Sequence, residues 1–134
     1  MLPLVGEIAA GHEHFMEEEI ETWISTSRRL INSKISGKYF YLRVSGNSMI
    51  GRDIFDGDKV LIRRMSNPRA DVHDGDIVAC MIGGNRATLK TLYYESDGIL
   101  LQPENPEYES FHITWEDFAM GDAKIIGVMK GKAD

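Results

Sequence analysis

Tyr39-Phe40-Tyr41-Leu42-Arg43-Val44-Ser45-Gly46-Asn47-Ser48-Met49 reads as a strand that runs into a turn. The aromatic and branched residues of its first half suit a pleated, largely buried strand. Gly46-Asn47-Ser48 is turn chemistry: glycine adopts backbone conformations closed to other residues, and asparagine and serine bond back to the chain. After a turn-rich stretch, Asp56-Gly57-Asp58 leads into a second strand, Lys59-Val60-Leu61-Ile62-Arg63-Arg64. The same alternation continues outward. Asp74-Gly75-Asp76 precedes an apolar run at 77–82, and Gly83-Gly84-Asn85 precedes a run at 86–94. Ser96-Asp97-Gly98 joins that run to Ile99-Leu100-Leu101 as a hairpin. Residues 111–115 and 124–129 complete about seven strands. The spacing predicts a mostly β fold of short antiparallel strands with little helix, and not βαβ units.

Toward the N-terminus the pattern weakens. Residues 2–8 are apolar but interrupted by Pro3 and Gly6, and are expected to form a frayed strand that ends in a loop. Ala9-Ala10-Gly11 follows, with little side chain to obstruct the backbone. A segment of that kind also suits being gripped in extended form. Residues 17–32 are predicted to be a linker with one short helix or irregular turns, because Ile20, Trp23, Ile24, Leu30 and Ile31 follow the helical period only in part. His12-Glu13-His14 beside Glu17, Glu18 and Glu19 raises the question of a metal site. No further histidine or cysteine lies close by to complete a ligand set, so the stretch reads as solvated acid and no metal or cofactor is expected.

Length and composition bound the function. A chain of 134 residues is one domain with its own core. A net charge of −6 argues against a broad basic surface for nucleic acid. The one cysteine, Cys80, has no partner for an intramolecular disulfide, which points to a reducing compartment. Its apolar neighbours mark it as a buried hydrophobe and not a nucleophile. No apolar run approaches the ~18 residues of a membrane span. Met1-Leu2-Pro3-Leu4-Val5 lacks the basic start of a signal peptide. The expectation is a soluble, cytoplasmic protein.

The residues that carry chemistry are Ser48 and Lys90. A serine hydroxyl is a poor nucleophile until a base takes its proton, and a neutral lysine amine can be that base. Free lysine titrates near ~10.4, so the fold must lower that value, and burial does so by disfavouring the ammonium. Lys90 lies between Leu89 and Leu92 in a run without acidic partners from Ala87 to Tyr94. A solvent-facing strand lysine is the bland alternative. A tight turn at Gly46-Asn47-Ser48 would bring the Asn47 and Ser48 amides to one spot, as an oxyanion hole requires. A rival arrangement pairs Ser48 with His73 or His112 and an aspartate.

Together these pieces resemble the peptidase domain (S24) of LexA-like repressors, shared with UmuD-type mutagenesis proteins and lambda-type phage repressors. Leu2-Pro3-Leu4-Val5-Gly6 with Ile8-Ala9-Ala10-Gly11 is similar to the family's cleavage region. Val44-Ser45-Gly46-Asn47-Ser48-Met49 resembles its nucleophile motif, and Asp56-Gly57-Asp58 follows in place. Ala87-Thr88-Leu89-Lys90-Thr91-Leu92 resembles the strand bearing the lysine base, and Leu101-Gln102-Pro103-Glu104-Asn105 and Ile126-Gly127-Val128 match later landmarks. The resemblance implies a LexA and signal-peptidase-like fold. It implies Ser48 as nucleophile, Lys90 as general base, the Asn47 and Ser48 amides as oxyanion donors, and self-cleavage at Ala10–Gly11. It divides the chain into a cleavable segment and linker at 1–33 and a peptidase and dimerisation core at 34–134. It further implies a homodimer, stimulation by a RecA–single-stranded-DNA filament in the SOS response to DNA damage, and DNA binding only through an N-terminal domain missing from this chain. No membrane partner is implied.

Two other classes compete. One is a UmuD-like or phage-repressor-type module that serves mainly dimerisation or partner binding. The other is a peptidase acting in trans, related to type I signal peptidases, against which the lack of a membrane anchor speaks.

Overall fold

In the computed structural model, which describes residues 1–8, 17–26, 39–65 and 68–133, one nine-stranded sheet organises the chain. Its strands are β1 (Leu2–Val5), β2 (Ile20–Ile24), β3 (Tyr39–Arg43), β4 (Lys59–Arg64), β5 (Ile77–Ile82), β6 (Thr88–Glu95), β7 (Gly98–Gln102), β8 (Phe111–Thr114) and β9 (Ala123–Lys132). Two short helices, α1 (Pro68–Asp71) and α2 (Trp115–Ala119), and 3-10 turns at Glu17–Glu19 and Ile50–Arg52 complete the described elements. The fold is therefore mostly β with little helix, as the turn spacing predicts. The order across the sheet is β2-β1-β3-β4-β9-β5-β6-β7-β8. Neighbours run antiparallel except β1 and β3, which run parallel.

Period-two alternation accounts for the core. On β3, Phe40 and Leu42 enter one apolar cluster and Tyr39 and Tyr41 another. On β5, Ala79 and Met81 join the first of these, while Val78 and Cys80 join a third. Both faces of the central strands are covered, which is why these strands read as continuous apolar runs. The ten-residue β9 runs between β4 and β5 and pairs with both, so it ties the two halves of the sheet together.

Three sequence expectations change. Residues 20–24 form a strand where a linker with helix or irregular turns is predicted. Ile20, Thr22 and Ile24 are β-branched, and the run is largely exposed at the edge of the sheet, so no buried stripe marks it in the sequence. β1 is not frayed: it lies between β2 and β3, and Leu4 and Val5 are fully buried. Its parallel partner is remote in sequence, beyond the reach of a local pattern. Trp115 opens α2 and does not end β8, because Thr114 caps the helix by accepting a hydrogen bond from the Asp117 amide at 3.1 Å.

The two Asp-Gly-Asp turns are the same structure twice. Asp58 N–H donates to the Phe55 carbonyl and Asp76 N–H to the His73 carbonyl, each at 3.0 Å. Gly57 and Gly75 sit at φ 87° and 86°, a region L side chains avoid. In each turn the closing aspartate accepts from the first residue's amide at 2.8 Å (Asp58 from Phe55, Asp76 from His73).

Candidate active site

β3 and β4 are joined by residues 44–58, the loop that presents Ser48. Its base is fastened by Val44 N–H to Asp58 O at 2.7 Å and Gly57 N–H to Val44 O at 2.8 Å. Gly46 takes φ 88°, and its amide donates to Asp56 Oδ1 at 2.8 Å. Met49 and Ile54 sink into the core on either side of the 3-10 turn, so the loop is anchored and not draped.

Lys90 comes from β6, which lies between β5 and β7 deep in the sheet. It is only 6% exposed. Nζ lies 3.5 Å from Ser48 Oγ, 3.3 Å from Thr88 Oγ1 and 3.0 Å from the Leu89 carbonyl. A neutral amine has two N–H donors and one lone pair. In that form the Leu89 carbonyl and the Thr88 hydroxyl can take the two donors and the lone pair can face the Ser48 hydroxyl, whereas the ammonium donates to all three. The 3.5 Å separation is longer than a tight hydrogen bond, as is common for nucleophile and base before substrate closes the site.

Burial lowers the Lys90 pKa, because it strips the ammonium of its hydration. A charged Cys80 would oppose this, but burial pushes the Cys80 thiol up to about 12, so it stays neutral at ordinary pH. The same burial makes Cys80 inert, in keeping with its reading as a core residue.

Ser48 and Lys90 face a cleft of about 870 Å³ whose lining also includes Gly6, Glu7, Ala87 and Tyr108. The lead-in from β1 is fastened along one wall. The Ile8 carbonyl accepts from the Ala87 amide at 3.0 Å, and the Ile8 side chain is fully buried in the cluster that holds Met49 and Leu89. Glu7 Oε1 meets Arg86 Nη1 at 2.8 Å. Ala10 and Gly11 lie outside the described residues, as do His12, His14 and the boundary expected at residue 33. Among the described residues no cluster of His, Cys, Asp and Glu is suited to a metal.

The histidine rivals do not line this cleft. His73 has a side chain 85% exposed beside Asp76. His112 sits between Glu95 at 2.5 Å and Asp97 at 3.2 Å, and the hydrogen bond to Glu95 raises its pKa, favouring a protonated ring with no lone pair to accept a proton. Sequence reasoning missed Thr88, although a threonine two positions before the lysine shares its side of the strand. It also missed Arg86, Asn105 and the burial of Ile8, whose partners are distant in sequence.

The chain matches the family described as Peptidase S24-like over residues 3–130. It is 44% identical over 130 residues to a LexA repressor of Geobacter sp. (strain M21), covering 96% of this chain and 61% of that protein. It is 39% identical to LexA repressor 1 of Geobacter sulfurreducens, covering 97% of this chain and 59% of the relative. With a LexA repressor of Anaeromyxobacter dehalogenans (strain 2CP-1) the figures are 36%, 97% and 53%. The chain thus spans between half and two thirds of the length of these relatives. Among the described residues no helix is long and apolar enough to cross a membrane.

Proposed function

This chain belongs to the S24-like peptidase family, and from that premise we propose that it is the self-cleaving serine peptidase domain of a LexA-like repressor. The observation that carries the reading is Lys90 Nζ, buried and 3.5 Å from Ser48 Oγ, beside a docked lead-in to Ala10–Gly11. Ala10 is two residues beyond Ile8, a reach of about 7 Å in extended chain. Docking of Glu7 and Ile8 on the cleft wall supports cleavage within one molecule, because it replaces a bimolecular encounter by a positioned one.

In the reaction, Ser48 Oγ bonds to the Ala10 carbonyl carbon as its proton passes to Lys90 Nζ. The carbonyl oxygen becomes an oxyanion met by the Asn47 and Ser48 amides. Collapse breaks the carbon–nitrogen bond, and Lys90 returns the proton to the Gly11 amine. Water then attacks the Ser48 ester with Lys90 again as base, which releases the Ala10 carboxylate and restores the hydroxyl. A RecA–single-stranded-DNA filament would favour the cleavable state as a population shift. The reading includes a homodimer, a cytoplasmic location and operator binding by a separate domain.

The test is incubation of the purified chain from pH 7 to 10, followed by mass. Loss of residues 1–10, at a rate that rises as a lysine deprotonates and vanishes in Ser48→Ala, is the expected result. Cleavage that persists in Ser48→Ala removes the dyad. No cleavage at any pH, nor with RecA, single-stranded DNA and nucleotide, favours a module kept for dimerisation or partner binding.

A further inference from the structure

The turn that carries Ser48 is fastened from outside by the residues after β7. Glu104 N–H donates to the Ser48 carbonyl at 2.9 Å, and Gly51 N–H donates to the Glu104 carbonyl at 2.8 Å. Asn105 Nδ2 donates to the Asn47 carbonyl at 2.9 Å, and Asn105 Oδ1 accepts from the Glu107 amide at 3.0 Å. Asn105 is 8% exposed. A buried amide side chain thus gives a donor to the nucleophile turn and its acceptor to its own loop.

The Asn47 carbonyl and the Ser48 N–H belong to one peptide unit. In a trans peptide they point in opposite directions, and no cis bond occurs among the described residues. A carbonyl anchored on one side therefore fixes the direction of the N–H on the other. A serine turn rich in glycine and asparagine does not hold that plane by itself, since such residues tolerate several backbone conformations.

We propose that Asn105 is a positioning residue for peptide-bond cleavage: by holding the Asn47 carbonyl it aims the Ser48 amide at the oxyanion. The inference rests on the reading of Ser48 as nucleophile and of its amide as an oxyanion donor. Its effect runs through the Asn47–Ser48 peptide plane.

Asn105→Asp separates the two hydrogen bonds. The carboxylate keeps an acceptor for Glu107 N–H and loses the donor to Asn47. Removal of an oxyanion donor costs about 10²–10³ in rate, and a misdirected one is expected to cost about 10- to 100-fold. Self-cleavage is measured from pH 7 to 10 at a temperature where each variant is folded by circular dichroism, with wild type and Ser48→Ala alongside. The expected result is a plateau rate lowered by that factor in both variants, with an unchanged pH midpoint in the uncharged Asn105→Ala, where Lys90 keeps its surroundings. Asn105→Ala, which loses both bonds, carries the same test if the buried carboxylate prevents folding. A wild-type rate in either folded variant overturns the proposal. So does a shifted midpoint in the uncharged Asn105→Ala, which reports a displaced Lys90. Wild type that never cleaves overturns the peptidase reading itself and this inference with it.

Discussion

Lys90 concentrates the tension between stability and chemistry. As the proposed base, its amine is useful only because burial makes the ammonium unfavourable, and that burial opposes folding. In the unfolded chain it titrates near ~10.4; in the fold it titrates lower. Between those values the unfolded state binds the extra proton, so stability rises with pH across that window. Below the folded value the penalty is present in full, and above the unfolded value it is gone. Lys90→Met, which keeps the stem and removes the charge, is expected to lose cleavage. It should also melt higher than wild type at neutral pH, with the difference closing as the pH approaches ~11 in a series of melting curves. Thr88→Val is expected to slow cleavage without unfolding the domain, because one amine donor loses its acceptor and the lone pair is no longer directed at Ser48. Single-turnover rates with a melting curve check this. Thr91 offers a control on the same strand: its hydroxyl is buried and makes no hydrogen bond among the described residues. Thr91→Val should leave cleavage intact and stabilise by up to about 1 kcal/mol, read by denaturant unfolding.

At the scale of elements, the wall of the cleft is built from two segments far apart in the chain. Arg86 and Glu7 are both more than half exposed, so their attraction is weak in free energy, on the order of 0–1 kcal/mol. On the proposed reading it acts on the segment that leads to the scissile bond, and its effect should appear in rate. Glu7→Arg and Arg86→Glu are each expected to slow self-cleavage by about 2- to 5-fold. The double charge swap should recover most of the loss, which a rate comparison at low and high salt would check. Gly51 marks the contact between the Ser48 loop and the segment after β7: a side chain there would press on the Glu104 carbonyl, 2.6 Å from an added Cβ. Gly51→Ala is expected to destabilise the Ser48 loop and lower the melting temperature. These elements differ in how far they can be read from sequence. The turns are local, so Asp-Gly-Asp, Gly46 and the strands beside them are legible from spacing alone. Ser48 and Lys90 are legible as residue types and as a resemblance, but their approach depends on the packing of the β3–β4 loop against β6. The β1–β3 pairing and the grip of Asn105 on Asn47 join residues dozens of positions apart, and nothing in either stretch names its partner. β2 escapes notice for the opposite reason: an exposed edge strand lacks the apolar alternation by which strands are recognised.

For the molecule as a whole, the sheet is the frame on which both reactant and catalyst are mounted. β6 contributes Lys90, the loop after β3 Ser48, and β1 the lead-in along the cleft wall; on the proposed reading these are the base, the nucleophile and the approach to the bond to be cut. β1 lies inside the sheet, bonded on both sides, and this would govern the fate of a cleaved product. Hydrolysis at Ala10–Gly11 would sever the chain beyond Ile8 and break none of the strand's ladder bonds. Leu4, Val5 and Ile8 would remain buried where they were. Scission and departure are then separate events, each with its own clock. A denaturing gel would register the first, and native mass or size measurements only the second. Until the severed strand left, the strand would keep its place in the sheet, and on the proposed reading the break would be held as a latent memory of the signal that caused it.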